Sequence, residues 1–480
     1  MKHLIRFSLG LLLATSLVGC AVNPVTGKKE MIFDSVAQDI EVGKQNYIPS
    51  QQSQGGQYVV DPGLTAYVSQ VSKKLAAVSD QPNLPYEFVV LNNDVPNAWA
   101  MPGGKLAINR GLLIQLEDEA QLAAVMGHEI VHAAARHGAS AKSQQMVVGA
   151  GALLAGVAVA TQKPEYGGLA VGALTVGATA WNSKYSRDHE TEADVYGIKY
   201  MVKAGYDPQA AVELQQLFVR MKDNKEPGWI DGLFASHPAS QDRVTANKLE
   251  AAKYPKGGAR NKEAFQRALS QLIKDKDAYG NYQEAMKSAK AKQYDKALSL
   301  VDNSIQQQPR ENLFWELKGQ LLLQQDKNKE AITALDKSIS TNPNFFRPYI
   351  YRGMAYKELG NSNLAERDLI ASQRLLPTQE ASEELGDIAL TKGDRNTAAA
   401  YYQQVMSGGG EAGELQQLFA ALEILVNAFL QNRAEILPEL CKGLGVTFGE
   451  LFDACQDAAG DTLADRRQHR AFLDHFARQV

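Results

Sequence analysis

The order of apolar and polar positions changes character along the chain, and each change predicts an element. "SVAQDIEVGKQ" (35–45) and residues 64–78 carry helix-like patterns. "YEFVVLN" (86–92) is dense in β-branched and aromatic residues and predicts a strand. "NAWAMPGGKLAIN" (97–109) predicts an extended stretch, a Pro-Gly-Gly turn and a second strand. Good helix formers then run from Asp118, a start signal with Gln121 three residues on, through Arg136 and His137, and Gly138 supplies the stop. Helices and strands mix without a βαβ pattern, and no phosphate-cradling glycine loop opens a helix here.

The C-terminal half repeats itself. Pro309, Pro343 and Pro377 recur every 34 residues, and Ala297, Ala331, Ala365 and Ala399 keep the same step. Gly319, Gly353 and Gly386 follow in near register. Two amphipathic helices per 34 residues are the tetratricopeptide signature, over roughly 276–407. Such units stack into a superhelix whose concave face binds extended peptide or a partner surface. "SGGGEAGE" (407–414) breaks the pattern, and 414–480 read as helices without a motif.

Length changes the picture little: 480 residues suit two or three domains. The net charge of −4 gives no electrostatic footprint for nucleic acid. The N-terminus does change it. Lys2, His3 and Arg6 precede an apolar run from Leu9 to Val18, the pattern of a bacterial secretion signal over 1–19. Leu17-Val18-Gly19-Cys20 resembles a lipobox, which implies cleavage before Cys20 and its acylation. Ala21 after it implies sorting to the outer membrane, so the expected location is the periplasm, lipid-anchored. Of the two other cysteines, Cys441 and Cys455, pairing and two free buried thiols remain open.

The chemistry lies in "MGHEIVHAAARH" (126–137). His128 and His132, four apart on one helix, project two imidazoles toward one point, a geometry zinc accepts. Glu129, one residue round, sits off that line and can act as general base for an attacking water. A third histidine six residues on, preceded by glycine, is excluded, because Ala135 and Gly138 hold those positions. "YSRDHETEADVYG" (185–197) offers Glu190 as third ligand and Asp194, one turn on, as acceptor for a ligating histidine's N–H.

HExxH followed by E-x-x-A-D (Glu190, Ala193, Asp194) resembles the zinc metallopeptidase family of HtpX and the CAAX prenyl protease. "CAVNPVTGKKE", "NAWAMPGGKLAINRGLL", "SRDHETEADVYG" and "SHPASQDR" are similar to its BepA/LoiP-type envelope branch, and the match covers about 20–250. The resemblance implies an α+β, zincin-like, mostly helical peptidase domain with a small sheet (20–262). A connector helix and an all-α tetratricopeptide solenoid follow (263–407), then a segment of unassigned role (408–480). It implies one Zn2+ held by His128, His132 and Glu190, with Glu129 as base. Asn97, Ala98, Trp99 and Ala100 would form an edge strand that pairs with extended substrate. His237 and Arg243 would lie near the metal. His237 carries two readings: oxyanion donor, or occupant of the open zinc position in a latent enzyme. His137 and His189 are expected to be structural. The apolar stretches within 146–181 read as tightly packed helices or as a membrane- or partner-contacting element.

The expected function is an envelope metalloendopeptidase that cleaves misfolded or misassembled outer-membrane proteins, with the repeats docking substrates or the assembly machinery. The alternative is an assembly chaperone or scaffold with little proteolysis.

Overall fold

The computed structural model describes residues 20–147, 185–223 and 237–407. The signal-like residues 1–19, nearly all of the apolar stretch 146–181, and 408–480 with Cys441 and Cys455 lie outside the described residues. Among the described residues, no helix is long and apolar enough to cross a membrane. The chain divides into two units between Leu376 and Pro377.

The first unit opens with an antiparallel hairpin, β1 (Cys20–Val22) on β2 (Lys29–Met31), in which Cys20 faces Met31. Asn23 builds its turn. The Asn23 side-chain oxygen accepts from the backbone N–H groups of Val25 and Thr26. Helix α1 (Val36–Ser53) starts at Ser35 in a reciprocal capping box with Gln38, and α2 (Pro62–Ala76) starts at Asp61 with proline in its first turn.

β3 (Glu87–Leu91) runs parallel to β5 (Lys105–Asn109), and β4 (Ala98–Met101) runs antiparallel to β5. The order β3-β5-β4 buries all of β5 and leaves β4 at an edge. The short α3 (Arg110–Leu113) follows.

Helix α4 (Glu119–Ala134) is the axis of this part. Asp118 accepts from the Gln121 backbone N–H at 2.9 Å and caps it, as the sequence predicts. Every residue of α4 except His128 is buried. Its buried Glu119 is held by Tyr67, by Tyr206 at 2.8 Å and by Asn261 at 2.7 Å. Helix α5 (Arg187–Lys203), capped by Ser186, crosses α4 where two glycines meet. A Cβ on Gly197 would stand 3.1 Å from the His128 backbone nitrogen and 3.3 Å from the Gly127 carbonyl carbon. The backbones themselves set the spacing of these helices. Helices α6 (Gln209–Asp223) and α7 (Gln241–Ala251) complete the surround.

The helix stop differs from the expectation. Gly138 does not end α4; the break falls at Arg136, whose φ of +62° is left-handed, and residues 137–147 are helical again. Two bonds hold this costly conformation: the Arg136 guanidinium donates to Asp39 Oδ2 and to the Asp34 carbonyl, each at 2.5 Å.

Two short helices, α8 (Lys262–Ala268) and α9 (Ser270–Lys274), lead into three helix pairs. These are α10 (Lys276–Lys290) with α11 (Tyr294–Gln307), α12 (Asn312–Leu323) with α13 (Asn328–Thr341), and α14 (Arg347–Glu358) with α15 (Ser362–Leu375). The 34-residue step has a packing reason. Ala297, Ala331 and Ala365 are fully buried, and Gly319 and Gly353 let Leu335 and Leu369 approach to distances no larger residue allows. Ser304 and Ser338 each donate at 2.8 Å to the carbonyl 26 residues earlier.

These pairs are seated on the N-terminal part of the same unit. Asn92 donates to Glu311 at 2.8 Å, Arg110 donates to Asn92 at 2.8 Å, and the Arg110 guanidinium lies 3.7 Å over the Tyr279 ring. Tyr279 donates to the other Glu311 oxygen at 2.5 Å. The Gln52 amide donates to the Asn344 carbonyl at 2.7 Å and accepts from the Phe346 N–H at 3.0 Å.

The second unit contains one further described pair, α16 (Gln379–Thr391) with α17 (Arg395–Ser407), in which Gly386 faces the Tyr402 ring.

Candidate metal centre

His128 and His132 emerge from the middle and end of α4, and Glu190 from the first turn of α5. The glycine crossing brings them together. His132 Nε2 lies 3.1 Å from His128 Nε2 and 3.3 Å from Glu190 Oε1; His128 Nε2 lies 3.5 Å from Glu190 Oε2. His237 enters from the segment before α7. Its Nδ1 is 2.9 Å from Glu190 Oε1 and 3.3 Å from His128 Nε2. One donor atom from each of these four residues falls within 4.8 Å of all the others.

The surrounding groups fix which atoms carry protons. Asp194 Oδ1 lies 3.0 Å from His128 Nδ1, and a carboxylate only accepts, so Nδ1 carries a proton and Nε2 is the atom turned toward the cluster. Imidazole nitrogens and carboxylate oxygens this close repel unless a proton or a metal cation lies among them. The donor set therefore fits a metal, and its N/O chemistry is that of zinc. Charge agrees. Burial opposes charging His128, yet Glu190 and Asp194 outweigh it and push its pKa up to about 10. Burial also opposes ionising Glu190, but the charges of His237 and His128 hold its carboxyl well below the usual range. His132, further buried and flanked by His128, is pushed well below the ordinary imidazole value.

Arg243 addresses the carboxylates. Its Nε and Nη2 fork onto Asp194 at 2.8 and 2.7 Å, and Nη1 lies 2.9 Å from Glu190 Oε2. That fork and His128 hold the Asp194 carboxyl low against its burial.

Glu129 is buried, and its Oε2 has no hydrogen-bond partner among the described residues. Its other oxygen is 3.5 Å from His237 Nε2. Burial raises its pKa, and His237 and His128 oppose that rise only in part. A cleft lined by Ala98, Val125, Glu129, Met201, Leu214 and Phe218 opens beside it.

Of the stretch from Asn97 to Ala100, Ala98 lines the cleft. Asn109 donates to the Asn97 carbonyl at 2.8 Å, so with the observed register Asn97 and Trp99 turn their backbone groups toward β5. Ala98 and Ala100 turn theirs to the open edge. Trp99 leans away, edge-on to Tyr47, and donates to Gln54 at 3.1 Å. Tyr185 stacks on His132 at 3.9 Å and points its hydroxyl at the Ala100 carbonyl, 3.4 Å away.

Two residues set aside in the sequence lie against this site. His137 Nδ1 is 2.9 Å from His132 Nδ1, and the His189 ring stacks on His137 at 4.3 Å. The signal that links His137 to the site is the left-handed Arg136 turn, which periodicity does not reveal.

A metal-ready donor set beside a buried carboxylate and an edge strand, in a chain with tetratricopeptide repeats, defines a metallopeptidase with an attached interaction module. The chain belongs to peptidase family M48, whose model matches residues 62–251, and a tetratricopeptide-repeat model matches 282–344. It is 28% identical to the putative beta-barrel assembly-enhancing protease of Vibrio cholerae, over 66% of this chain and 77% of that one. It is 27% identical to the beta-barrel assembly-enhancing protease of Escherichia coli, over 64% and 68%. It is 30% identical to the metalloprotease YcaL of Escherichia coli, over 37% of this chain and 67% of that one.

Proposed function

We propose that the protein is a zinc-dependent endopeptidase of the bacterial envelope that cleaves misfolded or misassembled outer-membrane proteins. His128, His132 and Glu190 are its ligands. When bound, zinc supplies Lewis acidity to the water and the scissile carbonyl. Glu129 takes the proton of the attacking water and passes it to the leaving amine, and its raised pKa makes it a better base. Asp194 keeps the His128 proton on Nδ1, and Arg243 holds Asp194 and Glu190 in place. Extended substrate adds to β4 through the outward backbone groups of Ala98 and Ala100. His237, beside the three ligands, would be a fourth and would hold the enzyme latent until substrate displaces it.

The observation that carries the reading is the partnerless Glu129 oxygen beside the four-residue cluster. A purely structural metal site has no use for it. Cys20, acylated after cleavage of 1–19, anchors the chain to the outer membrane facing the periplasm. The repeats dock substrates or the assembly machinery, a role consistent with the name of the Vibrio and Escherichia relatives.

One observation favours the alternative, a scaffold with a closed zinc site: His237 already completes a set of four. Zinc content and cleavage of an unfolded β-barrel protein by wild type, Glu129→Gln and His237→Ala separate the two. The enzyme reading expects zinc in all three, no cleavage by Glu129→Gln, and faster cleavage by His237→Ala. Zinc without cleavage in wild type and His237→Ala supports the scaffold. Basal cleavage that His237→Ala leaves unchanged or lowers removes the latent state.

A further inference from the structure

We infer that the hairpin beside Cys20 is part of the metal centre: Lys28, through Glu192 and His137, fixes the proton of His132 on Nδ1 and so keeps Nε2 free to bind metal. The inference rests on His132 being a ligand, as proposed above.

The proton positions follow in order. Lys28 Nζ lies 2.7 Å from Glu192 Oε1, and Asn23 Nδ2 lies 3.4 Å from Glu192 Oε2. The Glu192 carboxylate therefore sits between two donors from the hairpin, 164 and 169 residues away in sequence. Glu192 Oε2 is 3.4 Å from His137 Nε2. A carboxylate only accepts, so His137 Nε2 carries the proton and, in the neutral ring, His137 Nδ1 is an acceptor. His137 Nδ1 is 2.9 Å from His132 Nδ1. One of that pair must donate, and only His132 can. Its single proton is thus on Nδ1, and its bare Nε2 faces His128 Nε2 and Glu190 Oε1.

The rings are held as well as the protons. His137 is fully buried. It is stacked on His189, whose Nε2 lies 3.8 Å from Glu30 of β2. Glu30 also accepts from Asn23 at 2.6 Å. The "NPVTGKKE" stretch thereby acquires a purpose that the ligand set alone does not give it. Its Asn23, Lys28 and Glu30 all close on the shell behind His132. Lys28, Glu192 and His137 are positioning residues, because none of them reaches the cleft.

The test is zinc affinity of the full chain, measured by chelator competition, together with 15N shifts of the imidazoles, which report the tautomer. His137→Phe is expected to weaken zinc binding roughly 10- to 100-fold. His137→Gln, whose amide oxygen can accept from His132 Nδ1, restores most of it. Lys28→Glu acts at an exposed side chain and leaves folding intact. It repels Glu192 and is expected to weaken binding on the order of 10-fold. In both weakened variants the His132 proton spreads onto Nε2. Zinc affinity unchanged in His137→Phe and Lys28→Glu, beside a wild type that binds tightly, overturns the relay alone. A wild type that binds no zinc overturns the ligand assignment and the relay with it.

Discussion

The Asp194 carboxylate receives His128 Nδ1 at 3.0 Å while the Arg243 fork grips both its oxygens. One acid thus sets the tautomer of a metal-facing imidazole and neutralises the arginine that also reaches Glu190. Asp194→Asn keeps the size but lets the amide donate, so His128 can place its proton on Nε2. Zinc retention against a chelator is expected to fall about 10- to 100-fold. Wild-type retention in that variant counts against the assignment.

Arg243→Ala removes the guanidinium that touches both Asp194 and Glu190, two buried carboxylates. Breaking a buried pair costs about 3–5 kcal/mol. In urea titrations the metal-free variant should lose stability on that scale, and added zinc, which also neutralises Glu190, should recover part of it.

Gly197→Ala places a methyl group against the α4 backbone, where no side chain can swing aside. Strain of this kind costs about 1–3 kcal/mol. The helices must part by a few tenths of an ångström, so both the urea midpoint and zinc affinity should drop. A variant matching wild type in both would show that the crossing has slack.

Ala100→Pro removes one outward N–H from β4 and leaves the β5 ladder intact. One lost backbone bond is worth about 0.5–1.5 kcal/mol, so KM for an extended peptide should rise roughly 2- to 10-fold with kcat little changed. Equal KM values would argue that substrate does not pair there.

Glu311 tests the seating of the repeats. Burial raises its carboxyl above the ordinary 4.5, against the opposing bonds from Tyr279 and Leu313 and the charge of Arg110. Folding therefore takes up a proton at this group. Its contribution is fully present below the ordinary value and is lost as pH rises through the folded one. Urea midpoints of wild type and Glu311→Gln, compared near pH 5 and near pH 8, should shift in favour of the glutamine at the higher pH. A constant difference would mean that Glu311 ionises in the fold as it does in water.

Much of this was legible in the chain because it depends on spacing. His128 and His132 share a helical face by arithmetic. Gly319 and Gly353 recur because each must admit a leucine from the paired helix. The Asp118 cap needs only its neighbour Gln121. His137 was illegible for an equally physical reason. On an unbroken helix, five residues past His132 is about 140° around the axis, and only the break at Arg136 turns it inward. The Lys28–Glu192 pair joins distant segments and leaves no local trace.

The C-terminal end of α1 serves two neighbours at once: Gln52 holds Asn344 and Phe346 of the repeats, and two residues later Gln54 holds Trp99 of β4. The solenoid is therefore no interchangeable cassette. Grafting a foreign repeat array onto this enzyme would withdraw a support from the helix end that also steadies β4, so the repeats and the peptidase part have to evolve in step.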